Sequence, residues 1–152
     1  MTAWEFAVAA WRRPDVEALC LELQSIHGQS PPLLLWGLWL VSQGRTPALA
    51  VSEKAVDLAR DWERQVVEPL RDVRDRLKAP DGPGPPAARL LLRQSVLKVE
   101  LEAERLLLES LESLETTPTP APRDPLTALL DLAQAWRSPA PRTLLAKLVL
   151  AV

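Results

Sequence analysis

The chain has 152 residues, 47% hydrophobic and 25% charged, enough for one domain with a buried core and too apolar for a disordered polyelectrolyte. Eighteen Lys+Arg against 20 Asp+Glu leave a net charge of −2, without the basic excess of a nucleic-acid binder. A single Cys and a single His exclude an internal disulfide and a Cys/His zinc cluster.

Leu and Ala dominate, Ile occurs once (Ile26) and no β-branched run alternates with polar residues, so the fold class is all-α, a helical bundle. A first helix is predicted over about residues 3–12, with Trp4, Val8 and Trp11 on one face. Pro14 and Asp15 open a second, with Val16, Leu19, Cys20, Leu23 and Ile26 as its apolar stripe and Gly28 as its stop. Ser30-Pro31-Pro32 starts a third helix that is apolar all round, and Gly37 in its middle marks a close helix contact. Its most apolar stretch, Leu33 to Val41, is roughly 14 Å long as helix, too short to span a bilayer core of about 30 Å. The amino terminus lacks the basic and apolar regions of a signal peptide, and the expected compartment is the cytoplasm. Arg outnumbers Lys and Asn is absent, a usage that fits a GC-rich bacterial genome.

Two long helices are expected next, about 52–79 and 87–115, antiparallel across the breaker Pro80-Asp-Gly-Pro-Gly-Pro-Pro86. The first has the seam Ala59, Trp62, Val66, Leu70, Val73 and Leu77, with a kink at Pro69 where the carbonyl of Gln65 loses its donor. A hairpin closing at Pro83 sets Arg71 opposite Ser95 rather than Glu100, so Arg71 and Arg74 would need partners from the first three helices or from a ligand. Residues 116–125 hold four prolines and read as a semi-extended linker. Short helices at about 126–136 and 143–150 complete a tail, 126–152, docked on the 1–115 domain or on a partner.

The chemistry is sparse. Cys20 and His27 lie about 10 Å apart along one helix, too far for a nucleophile–base pair. Glu100 and Glu104 share a face, yet no His accompanies them as helical dinuclear sites require; ion pairs or a solvated face is the simpler reading. Arg71 and Arg74 have the spacing to clamp an anion. Trp4, Trp11, Trp36, Trp39 and Trp62 all fall on positions expected in the core. No phosphate loop, nucleophile elbow or dinucleotide fingerprint occurs, so no cofactor is expected.

In order along the chain stand Trp4-x-Phe6, Cys20-Leu-x-Leu-Gln24 with Gly28, Leu33-Leu-Leu-Trp36-x-x-Trp39, Trp62, Pro69-Leu-Arg71-x-x-Arg74 and Glu100-Leu-x-Ala-Glu104. This set resembles a family of small proteobacterial proteins, the domain of unknown function 2390, over about residues 3–115. The resemblance implies a cytoplasmic helical protein with no assigned activity. The chain departs from the family pattern at Trp11, where Tyr is usual, and at Ser30-Pro31-Pro32.

The leading expectation is a non-enzymatic protein-interaction or adaptor module, binding a partner or itself, because the segment TLLAKLVLAV at the carboxyl end is apolar surplus. The alternative is a small apolar or amphipathic ligand held by Trp36, Trp39 and Trp62, its anionic end met by Arg71 or Arg74 beside Glu100 and Glu104. An enzyme would need Glu100 or Glu104 to converge with Arg71 in one cleft.

Overall fold

Helix starts follow from local chemistry. In the computed structural model, which describes residues 1–152, Thr2 Oγ1 accepts from Glu5 N at 3.1 Å while Glu5 Oε2 accepts from Thr2 N at 2.8 Å, a reciprocal cap on α1 (Ala3–Trp11). Proline occupies the first turn of α2 (Pro14–Ser25), α3 (Pro31–Ser42), α6 (Pro86–Glu112) and α7 (Pro125–Trp136), where a missing N–H costs nothing. Asp124 caps α7 by accepting from Thr127 N at 2.8 Å, and α8 (Arg142–Ala151) ends the chain. The fold is all-α.

α2 stops at Ser25 because Gly28 turns left-handed (φ +61°) and the carbonyls of Leu23 and Gln24 take the N–H groups of Gln29 and Gly28. Ile26, expected in the apolar stripe, therefore lies beyond the helix and is exposed.

The first half of the long hairpin starts three residues earlier than expected and is not one uniform helix. α4 (Leu49–Trp62) passes into a π-helical turn (Glu63–Val67) and then α5 (Glu68–Lys78). Where the sequence predicts a kink, this wide turn absorbs Pro69, whose ring would otherwise strike the carbonyl one α-turn back. The turn shifts the helical phase by about one residue. Val67, not Val66, is the buried residue, Val73 is exposed, and the inward position falls to Arg74.

α3 is the centre of the core. Every residue from Leu33 to Leu40 is buried, with α1, α6 and α7 packed around it. Gly37 permits the closest approach: a Cβ there would lie 2.4 Å from Leu132 Cδ1 of α7. α8 packs on α2, burying Leu144, Leu145 and Leu148 in the same apolar cluster as α1 to α3. The carboxyl-terminal segment is thus largely covered within the chain, not a surplus. Trp136 joins the core as well, although it is absent from the residues the sequence places there.

Residues 116–125 are not wholly a spacer. Thr117–Pro118 (β2) pairs antiparallel with Arg45–Thr46 (β1), a two-residue ladder that no apolar alternation announces.

Beyond the core, α5 and the first half of α6 project as a two-helix arm. α5 packs chiefly on α6 and has no buried residue. At its tip the buried Arg89 donates to the carbonyls of Ala79 and Pro80, and Gly82 leaves the space it occupies.

Candidate functional site

The residues expected to bind a ligand separate into two groups. Trp36 is fully buried with its Nε1 unpartnered. Trp39 Nε1 donates to Met1 O at 3.1 Å, and Trp62 Nε1 to Ala103 O at 2.9 Å. These two indoles brace helix contacts. Trp4, Trp11 and Trp62 are only partly buried, where the sequence places them in the core.

The charged residues do come together, in a register that the sequence misjudges. Arg71 Nη1 donates to Glu63 Oε1 at 3.1 Å within the same half of the hairpin, across the π turn. Arg74 Nη1 reaches Glu100 at 2.9 and 3.2 Å on α6. Both arginines are satisfied by Glu63, Asp75 and Glu100, so neither needs the first three helices or an anion. The added π-turn residue is the reason, since it rotates Arg74 inward toward Glu100.

Glu104, one helical turn beyond Glu100, is left over. It makes no hydrogen bond or ion pair. Burial raises its pKa to about 7; Arg71 and Arg74 pull the other way, while Glu100 and Glu63 add to the rise. Cys20 lies near it, its thiol pushed up to about 12 by burial first and then by the Glu104 charge, which makes it inert as a nucleophile at neutral pH.

Glu104 forms part of the wall of a groove of about 460 Å³ between α1, the start of α3 and α6. Trp4, Trp11, Pro31, Leu35 and Leu101 supply the apolar lining, and Arg12 stands at the rim as the only other charged residue. The sequence signal for this groove is the matching spacing of Trp4/Trp11 and Leu101/Leu108, seven residues in each helix. That pattern is indistinguishable from core until the neighbours are known.

A second, larger cleft of about 750 Å³ lies between α3, α4 and α7. Three of its four arginines, Arg45, Arg60 and Arg123 but not Arg137, have structural partners. Arg45 Nε donates to Thr116 Oγ1 at 2.7 Å, Arg123 bonds Thr46 and Asp131, and Arg60 donates to the Trp136 carbonyl with its guanidinium 5.0 Å above the indole centroid. No three His, Cys, Asp or Glu side chains are gathered to hold a metal ion. No helix is long and apolar enough to cross a membrane.

The model of a family described as protein of unknown function (DUF2390) matches residues 2–111. No curated protein and no solved structure matches the chain.

Proposed function

The chain belongs to the DUF2390 family, and from the geometry of its groove we propose that it is a protein-interaction module that seats an amphipathic helix of a partner protein. One observation carries this reading. Leu90, Leu97, Leu101 and Leu108 are spaced by seven, four and seven residues and so share one side of α6. Leu108 is buried, Leu101 lines the groove beside Trp4 and Trp11, and Leu97 and Leu90 continue outward uncovered. The line is about 27 Å long, room for several turns of a helix with anchors at i, i+4 and i+7. Leu92, Val99 and Leu106 are exposed on another side of α6, so most of the apolar surplus sits on this helix, the carboxyl terminus leaving Leu150 exposed.

The test is a photo-crosslinking residue at Leu97 in the native host, with the exposed Leu91 as the control position. A discrete protein adduct from position 97 and none from 91, lost when Trp11 is changed to Glu, supports the reading. An adduct to a second copy of the chain replaces the partner by self-association. A second reading is a small amphipathic ligand in the same groove, whose volume lies in the range of such sites. No adduct together with a co-purifying mass in native mass spectrometry would favour that reading.

A further inference from the structure

The expected ligand had an anionic end, to be met by Arg71 or Arg74. In the structure both arginines are already paired with acids, and a carboxylate is left over. Three carboxylates, Glu63, Glu100 and Glu104, share a neighbourhood with two guanidinium groups, Arg71 and Arg74. Both arginines are taken up by other acids, Arg71 by Glu63 and Arg74 by Glu100 and the exposed Asp75. The acid in excess is Glu104, the one that lines the apolar groove with Trp4 and Trp11.

A half-buried carboxylate without a partner costs free energy that a ligand cation would recover. Indole faces attract cations as well, the more so where the site is desolvated. An apolar wall beside a lone acid also suits a particular kind of cation: a compact ammonium on a hydrocarbon stem, the stem lying on Trp and Leu while the head reaches the acid.

We propose that Glu104, with Trp4 and Trp11, forms a recognition site for the ammonium group of a lysine side chain carried by the docked helix. The inference rests on the groove reading above and adds the chemistry of the anchor. The occupant is a basic amphipathic helix, its lysine placed among the apolar residues that cover Leu97 and Leu101. The charged and titratable groups around Glu104 are Arg71 and Arg74 from α5, Glu63 from the π turn, Glu100 from α6 itself, Cys20 from α2 and Arg12 at the end of α1. Cys20 stays a thiol throughout the range used below, because its titration is pushed up to about 12.

The probe is n-hexylammonium, a stand-in for the lysine stem and head, with hexanoate and hexanol as sign and neutral controls. Binding is read on the indole N–H signals of the full chain by NMR, assigned through Trp4→Phe and Trp11→Phe. Hexylammonium should shift the Trp4 and Trp11 signals saturably at pH 8 and bind at least about tenfold more weakly at pH 5.5. The amine stays charged over that range while Glu104, titrating near 7, gains its proton. Glu104→Gln should remove both the tight binding and the pH dependence. The pH series on the unaltered chain stands even if that variant fails to fold. Hexanoate or hexanol binding as well as the amine overturns the inference, as does amine binding that ignores pH. An adduct at Leu97 with no amine response retires the lysine anchor but leaves the helix groove intact; an amine response with no adduct leaves a cation site at Glu104 and retires the helix that was to carry the lysine.

Discussion

Arg74 on α5 holds both carboxylate oxygens of Glu100 on α6, at 2.9 and 3.2 Å, and theirs is the only ion pair joining the two helices of the projecting arm. The side chains are 23% and 9% exposed. Losing one partner of a buried pair leaves a stranded charge, costing about 3–5 kcal/mol when burial is complete. At this partly wetted site Glu100→Ala should cost about 1–3 kcal/mol in urea unfolding. Changing both residues to apolar ones, Arg74→Met with Glu100→Leu, should recover most of that loss. A double variant no better than the single would show that the pair contributes attraction beyond mutual neutralisation.

Glu104 makes a distinct pH prediction. Its folded-state pKa is raised, so the folded protein holds the proton more tightly than the unfolded chain. Stability is therefore greatest below the ordinary carboxylate value, falls as pH rises toward about 7 and is level above it. Glu104→Gln, which cannot ionise, should be more stable than the parent by up to about 3 kcal/mol at pH 8 and nearly equal to it at pH 4.5. Urea titrations at the two pH values decide it; an equal effect at both would mean that the charge is well solvated.

Gly37 faces two opposing effects. Alanine favours helix by about 1 kcal/mol over glycine, but here its Cβ would lie 2.4 Å from Leu132 Cδ1 in a tightly packed contact. Overpacking costs about 1–3 kcal/mol, so Gly37→Ala should lower stability by about 1 kcal/mol. Combined with Leu132→Ala it should be less harmful than the sum of the two single changes, since the second opens the space that the first needs. Additive losses would refute the contact.

The carboxyl-terminal helices are expected to be structural. A chain cut after Thr117 would lose Leu129, Leu132, Trp136, Leu145 and Leu148, all buried with residues of α1 to α3. It should lose near-UV ellipticity and bind a hydrophobic dye. A sharp thermal transition in the shortened chain would show that residues 1–117 fold without this cover.

Much of the fold was legible because its determinants are local. Ser30 and Asp124 are caps, the prolines mark starts, and Gly28 and Gly44 stop helices with left-handed φ. What escaped was decided by more than one segment. Val66 and Val67 are equally apolar, so nothing local says which faces inward once a π turn is present. That one-residue ambiguity then decided the arginine pairings. Trp4 and Trp11 had the spacing of core residues, and only the placement of α6 turned their face into a groove wall. The charge of the site depended on which of three acids two arginines leave over, a question no single helix answers. Glu63 was missed for the same reason, since its partner lies across the π turn.

Arg89, buried at the hairpin tip and bonded to the carbonyls of Ala79 and Pro80, fits where Gly82 has no side chain. The arm is therefore a beam clamped at both ends, by the core at its root and by this guanidinium at its far end. A row of leucines on such a beam is held in place in advance, so most of the ordering entropy of the proposed association would fall on the docking helix. If a helix docks on Leu97 and Leu101, loosening the clamp with Gly82→Ala or Arg89→Ala, about 18 Å of helix from Leu101, should weaken its capture by making the receiving surface less ready.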